Sequence, residues 1–256
     1  MLELNDLSLS FGGVHVLKSV TFRLGQGEIL GLIGPNGAGK TSVMNVITGI
    51  HRPLKGDVRL NGTALTGLPA HVIAANGIRR TFQTSLLCPG LTVVENVMLG
   101  LEPRTGYGFL PALLNAGSMR QHETRARTQA MEILDWVGMA AFAGRLGTSL
   151  SFGQQRLVEI ARALISHPKV LLLDEPAVGL TEPRVLDLAE KIEQIRAEFG
   201  TSVLLIEHVM QLVLNSCDRV VVMNSGSVIA DGLPGQVTED RNVIESYLGR
   251  GYYVEG

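Results

Sequence analysis

The chain has 256 residues, of which 45% are hydrophobic and 18% charged, and its 22 Lys and Arg against 24 Asp and Glu give a net charge of −2. The apolar share excludes a disordered chain, and the near-neutral balance excludes a nucleic-acid binder that works by bulk positive charge. Glycine, with 30 residues, stands well above its usual share of ~7%, which points to many tight backbone turns.

Cys88 and Cys217 lie far apart and match no metal-ligand spacing, so the expectation is two reduced thiols in a cytosolic protein. Met1 to Asp6 lacks the basic and apolar regions of a signal peptide. No run approaches the ~18–20 apolar residues that span a bilayer. The chain is expected to be soluble by itself and to reach a membrane only through a partner.

In chain order, Leu7-Ser8-Leu9-Ser10-Phe11 and Val20-Thr21-Phe22-Arg23-Leu24 alternate apolar with polar, the period of half-buried strands. Ile29-Leu30-Gly31-Leu32-Ile33 is continuously apolar, as in a strand buried on both faces. A glycine-rich turn follows, then a helix with Val43, Ile47 and Ile50 at helical spacing. From about 92 to 165 the period is mostly helical, as in Ala130 to Val137, with residues 102–118 read as a loop or broken helix. Val170-Leu171-Leu172-Leu173 and Val203-Leu204-Leu205-Ile206 are two more buried-strand runs, and Val185, Leu188, Ile192 and Ile195 stripe a helix between them, over about 183–198. Strand, helix, strand is the grammar of a parallel sheet. Near the end, Val220 to Met223 and Val228 to Ala230 flank Asn224-Ser225-Gly226-Ser227 and read as a hairpin. The simplest architecture is an α/β core interrupted by a helical insertion.

Gly34-Pro35-Asn36-Gly37-Ala38-Gly39-Lys40-Thr41 fits G-x-x-x-x-G-K-[ST], the Walker A phosphate loop, between a buried strand and a helix. Its glycines let backbone N–H groups turn in around phosphate oxygens, and the helix N-terminus adds favourable dipole. Lys40 would bridge the β- and γ-phosphates, and the Thr41 hydroxyl would ligate Mg²⁺. Val170-Leu171-Leu172-Leu173-Asp174-Glu175 is the matching second half. Asp174, ending a buried strand, is suited to hold Mg²⁺ through water, and Glu175 to accept a proton from attacking water. Leu150-Ser151-Phe152-Gly153-Gln154 opens a helix whose apolar face is Leu157, Ile160, Ala161, Leu164 and Ile165. Ser151 with Gln154 makes a capping box, and the same capped N-terminus beside a bare glycine makes an anion site. Its distance along the chain leaves open whether it faces its own phosphate loop or that of a second subunit.

With these motifs in place, the chain resembles an ATP-binding-cassette (ABC) ATPase over essentially its whole length. Leu150 to Gln154 resembles that family's signature motif, Gln83 in Arg80-Thr81-Phe82-Gln83 its Q-loop, His208 in Ile206-Glu207-His208 its switch histidine, and Phe11 its adenine-stacking aromatic. The resemblance implies an α/β fold: a P-loop NTPase core with an N-terminal antiparallel β subdomain, over about 1–83 and 166–256, and an inserted α-helical subdomain over about 84–165. It implies a nucleotide site made of Phe11, Gly34, Pro35, Asn36, Gly37, Ala38, Gly39, Lys40, Thr41 and Ser42, with Ser151, Gly153 and Gln154 supplied by a facing cassette. Glu175, His208 and Gln83 would then be catalytic, and Thr41, Gln83 and Asp174 would hold the metal. ATP would close a head-to-tail pair of cassettes and hydrolysis would let it open. Two departures from the family pattern stand out: Phe152 where the signature commonly has Gly, and Thr181 where the loop after Walker B usually ends in Asp.

Gly77-Ile78-Arg79-Arg80-Thr81-Phe82-Gln83, Leu91-Thr92-Val93-Val94-Glu95-Asn96-Val97, Gly153-Gln154-Gln155-Arg156 and Val243-Ile244-Glu245-Ser246-Tyr247-Leu248-Gly249 resemble the LivG-type subunits of branched-chain (hydrophobic) amino-acid importers. That resemblance implies a related but different partner cassette, two transmembrane permease subunits, an external binding protein acting indirectly, no nucleic acid, and a place at the cytoplasmic face of the inner membrane. The alternatives are a lipopolysaccharide-export cassette, which shares the style of Val158 to Leu164, a soluble ABC protein of DNA repair or translation, and a degenerate cassette that binds ATP without turnover. Soluble ABC proteins of that kind usually have two cassettes per chain, or zinc or coiled-coil insertions, which are not read in this sequence. Glu175 and His208 argue against the last.

Overall fold

The continuously apolar runs become neighbouring central strands of one sheet in the computed structural model, which describes residues 1–81, 87–101 and 116–248. Two units divide the chain, Met1–Arg80 with Lys169–Gly256, and Thr81–Pro168. The first unit carries β1 (Leu2–Phe11), β2 (Val14–Leu24), β3 (Ile29–Ile33), α1 (Lys40–Ile47), β4 (Lys55–Leu60), β5 (Thr63–Ala64), α2 (Ala70–Ala75) and β6 (Ile78–Arg80). The second carries α3 (Val93–Met98), α4 (Ala116–Trp136) and α5 (Phe152–Leu164). The first unit resumes with β7 (Val170–Asp174), α6 (Glu182–Phe199), β8 (Ser202–Ile206), α7 (Met210–Ser216), β9 (Arg219–Asn224), β10 (Ser227–Gly232), α8 (Pro234–Glu239) and α9 (Arg241–Leu248).

The six-stranded sheet runs β10-β9-β3-β8-β7-β6, parallel throughout except for β10, which returns antiparallel on β9. Because side chains alternate faces along a strand, Leu30, Leu32, Leu172, Leu204, Ile206, Val221 and Met223 face one way, into a core shared with α1 and the four-stranded antiparallel sheet β2-β1-β4-β5. Ile33, Val220 and Val222 face the other way, onto Val213 of α7, Val237 of α8 and Val243 of α9. Burial on both faces is why β3, β7 and β8 read as unbroken apolar runs.

Several boundaries differ from the sequence reading. β1 and β2 extend well before Leu7 and Val20, because the buried set changes parity within each strand: Leu2 and Leu4 give way to Leu7 and Leu9, and Leu17 gives way to Val20, Phe22 and Leu24. Pairing of β1 with β2 shifts register between Leu4 and Leu7 and again between Leu7 and Leu9. Asp6 (φ 52°) and Ser19 (φ 53°) sit at these irregularities, and each donates its N–H across the pair, to Thr21 Oγ1 at 2.9 Å and to Ser8 Oγ at 3.2 Å. An extra residue in a strand flips every side chain after it, so a period-2 reading sees only half of each strand. Ile50 is not on the α1 stripe: the helix stops at Ile47, the Thr48 hydroxyl donates to the Met44 carbonyl at 2.7 Å, and Ile50 is exposed. Residues 116–118, expected in a loop or broken helix, open α4, while 102–115 lie outside the described residues.

In the second unit α3, α4 and α5 pack on one another around Val94, Val97, Leu134, Val158 and Leu164. The Thr92 hydroxyl accepts from the Glu95 amide at 3.4 Å and the Glu95 carboxylate accepts from the Thr92 amide at 2.7 Å, a capping box at the start of α3. Asn96, fully buried, holds the preceding loop by accepting from Cys88 N at 2.7 Å and donating to the Cys88, Leu91 and Thr92 carbonyls.

Candidate active site

The loop from Gly34 to Thr41 leaves the C-terminal end of β3 and enters α1, whose first residue is Lys40. Two of its glycines are obligatory. Gly34 (φ 149°) approaches the Met223 carbonyl so closely that a Cβ would overlap its oxygen, and Gly39 (φ 103°) would bring a Cβ to 2.9 Å from Leu17 Cδ2 and 3.0 Å from the Val16 carbonyl. Within the loop Ala38 N–H donates to the Pro35 carbonyl at 3.1 Å, and the Ala38 carbonyl accepts from Gly226 N–H at 3.0 Å in the β9–β10 turn. That carbonyl is thereby turned away from any anion in the loop. Asn36, Gly37 and Thr41 are exposed, Pro35, Gly39 and Ser42 are half-buried, and Ala38 is buried.

Lys40 is only 6% exposed, and its ammonium donates to the Gly34 carbonyl at 2.6 Å and the Pro35 carbonyl at 3.1 Å. Burial pushes its pKa down, and the neighbouring carboxylates of Glu175 and Asp174 pull it back part of the way. The cation is thus folded over its own loop, available to an anion that outcompetes two carbonyls. Tyr247 of α9 reaches this loop: burial raises the pKa of its hydroxyl, and a hydrogen bond from the Gly34 amide offsets part of that rise.

Asp174 ends β7 fully buried and accepts from Arg80 Nη2 at 2.7 Å, while Arg80 Nη1 donates to Asn45 Oδ1 of α1 at 2.6 Å. Glu175 follows with a left-handed backbone (φ 48°), unusual for a side chain of this size and worth roughly 1–3 kcal/mol of strain. Its amide donates to the Ile206 carbonyl at 2.9 Å, and its Oε1 lies 2.9 Å from His208 Nε2. The structure therefore brings Lys40, Asp174, Glu175 and His208 together at the C-terminal end of the parallel sheet, where ligands of open α/β sheets bind.

The remaining sequence-derived residues are placed separately. Phe11 is exposed at the end of β1, its ring edge-on to His51 with centroids 5.0 Å apart. Ser151 and Gln154 form the capping box at the N-terminus of α5, with Ser151 N–H donating to Gln154 Oε1 at 3.0 Å and Gln154 N–H to Ser151 Oγ at 3.4 Å. Gly153 is half-buried in its first turn, and the exposed Phe152 ring covers the Arg156 guanidinium at 5.5 Å. Behind it Arg156 pairs with Glu159 at 3.1 Å, both buried. Gln83 lies outside the described residues.

Three residues of this site were not singled out by their sequence: Arg80, Asn45 and Glu207. A carboxylate closing an apolar strand identified Asp174, and Val203 to Glu207 has the same form. A basic residue on the strand beside Walker B was the available signal for Arg80.

A glycine-built phosphate loop, a buried lysine and a carboxylate–histidine pair at the ends of parallel strands define a P-loop nucleotide-binding ATPase. The family model described as "ABC transporter" matches residues 17–178. The chain is 40% identical over 249 residues to the high-affinity branched-chain amino acid transport ATP-binding protein BraF of Pseudomonas aeruginosa, covering 97% of this chain and 98% of that one. It is 39% identical, with the same coverage, to the corresponding protein LivG of Escherichia coli. A crystal structure of a nucleotide-free ATP-binding cassette from an ABC transporter superposes with a TM-score of 0.85 at 32% identity, covering 97% of this chain and 99% of that one. The chain belongs to the ABC transporter family and is one of its ATPases. None of its described helices is long and apolar enough to cross a membrane.

Proposed function

We propose that the chain is the ATP-hydrolysing motor subunit of an importer for branched-chain or other hydrophobic amino acids, peripheral to the cytoplasmic face of the inner membrane. The observation that carries this reading is the buried Lys40 set among Asp174, Glu175 and His208, in a chain that matches BraF almost end to end. In this reading the backbone N–H groups of Gly37, Gly39, Lys40 and Thr41, at the N-terminus of α1, cradle the phosphates, with Ser42 beside them. Lys40 exchanges its two carbonyl partners for phosphate oxygens. Glu175 takes the proton of the water whose oxygen attacks the γ-phosphorus as the bond to the β-phosphate oxygen breaks. His208, bonded to Glu175, holds that carboxylate and the departing phosphate in line.

The donor set fits Mg²⁺: an exposed Thr41 hydroxyl and the Asp174 carboxylate are hard oxygen ligands, and Gln83 would add an amide oxygen. No group of three His, Cys, Asp or Glu among the described residues forms a protein-only cage, which suits a cation that takes most of its ligands from phosphate and water. Bound there, Mg²⁺ would neutralise charge on the phosphates. Phe11 would stack on adenine, and Ser151, Gly153 and Gln154 would meet the γ-phosphate from a facing, related cassette. The helical unit would receive two permease subunits that themselves answer to an external binding protein.

Two variants test the chemistry. Lys40→Ala is expected to weaken ATP binding at least ~100-fold, the loss of a charge-assisted contact worth about 3 kcal/mol. Unchanged affinity would refute the phosphate-loop assignment. Glu175→Gln should bind ATP yet hydrolyse it at least ~100-fold more slowly. Captured with Mg-ATP from detergent-solubilised membranes, that variant should bring two polytopic proteins and a second cassette. Capture of only soluble partners would sink the transport reading and leave the ATPase standing.

A further inference from the structure

The ladder pairs of β7 and β8 end at Asp174 with Ile206, and no strand pairing joins the two backbones beyond it. What holds them there is a side chain. Glu207 is 0% exposed, and its Oε1 accepts from Ala177 N–H at 2.7 Å. Its Oε2 accepts from His208 N–H at 2.9 Å and Val209 N–H at 3.1 Å. No basic side chain is salt-bridged to it among the described residues. An ion buried in this way is costly unless hydrogen bonds replace its water, and three backbone amides do so here.

We infer that Glu207 is a positioning residue, which laces the loop after Glu175 to the backbone that carries His208 so that the two side chains move as one body. The inference rests on the proposed roles of Glu175 and His208. The geometry is specific. Glu175 is fixed from behind by its amide on the Ile206 carbonyl and from ahead, two residues on, by Ala177 on Glu207. His208 is fixed by the same carboxylate through its own amide, and the 2.9 Å contact between Glu175 and His208 closes the ring. Both oxygens of Glu207 face N–H donors, so an amide of equal size must present an NH₂ to one of them and lose that anchor. A residue that only filled space would tolerate Gln.

The test uses the full-length, nucleotide-free protein. Amide hydrogen exchange should show Ala177 and His208 opening together in the wild type, and both opening at least ~10-fold faster in Glu207→Gln and Glu207→Ala. Opening of one without the other, or of neither, would overturn the inference, and the wild-type measurement decides this even where a variant does not fold. In ATP turnover, Glu207→Gln should lower kcat ~10- to 100-fold with KM for ATP changed less than ~2-fold, and should cost less than ~2-fold further in a His208→Ala background. Losses that multiply in the double variant, or an unchanged kcat, would mean that Glu207 does not act through His208. A wild-type protein that failed to hydrolyse ATP even when assembled with its partner cassette and permease subunits would sink the proposed function instead, and the exchange measurement would still decide whether the two segments are laced.

Discussion

The Arg80–Asp174 pair gives a stability experiment whose sign and size follow from burial. Both side chains are almost wholly out of water, at 6% and 4% exposure, with Nη2 and Oδ2 2.7 Å apart. Arg80→Met keeps the stem and deletes the cation, which strands a buried carboxylate at a cost of about 3–5 kcal/mol. The Asn45 side chain also loses a charged donor, adding about 1 kcal/mol. Against a total of ~5–15 kcal/mol for a folded domain this is a large fraction. With a slope near 3 kcal/mol per molar urea, the midpoint should fall by about 1 M or more. Asp174→Asn in the same chain removes the stranded charge, so the double variant should recover about 2–3 kcal/mol relative to the sum of the singles. Urea unfolding of the nucleotide-free protein, followed by circular dichroism, measures all four corners. Costs that add within about 0.5 kcal/mol would refute the reasoning, because the carboxylate would then not depend on Arg80 for its compensation.

Two further outcomes can be stated. Gly34→Ala should abolish folding of the phosphate loop and with it nucleotide binding, since a Cβ there has no room beside the Met223 carbonyl; wild-type affinity in a fluorescent-nucleotide titration would contradict the loop geometry. Burial pushes the Cys217 thiol up to about 12, so at pH 8 only roughly one molecule in ten thousand carries the thiolate. Iodoacetamide should therefore leave Cys217 unmodified in the native protein and label it in urea, and native labelling at the rate of a free thiol would show that the site is open.

Residues whose environment is set by their near neighbours could be read before folding. The apolar runs of β3, β7 and β8, the stripe of α6 and the Ser151 capping box each repeat a local period or a three-residue spacing, and each lies where that spacing puts it. The phosphate loop was legible for the same reason, since its glycines and lysine act through consecutive backbone groups. What escaped depends on distant chain. The parity changes in β1 and β2 turn on left-handed Asp6 and Ser19, which no glycine announces. β6 is a three-residue edge strand with two arginines, recognisable only once β7 lies beside it. Arg80 and Glu207 look like ordinary charged residues until the fold surrounds one with Asp174 and Asn45, and the other with three amides.

The order of strands in the six-stranded sheet also sets a timetable for synthesis. β2, β1 and β4 all end by Leu60, so the antiparallel sheet can pair while the rest of the chain is still being made. β3 belongs to the same early stretch, yet its two neighbours are β8 and β9, and the amide that restrains the Ala38 carbonyl comes from Gly226. A growing polypeptide thus presents its phosphate-loop strand with both edges unpaired until β8 has been made, and with one edge unpaired until β9 follows. Such exposed apolar edges invite pairing with other chains and are where newly made α/β proteins need shielding. Affinity for ATP is therefore expected only in chains long enough to include β9 and Gly226, which hold the phosphate-loop strand and the Ala38 carbonyl in place.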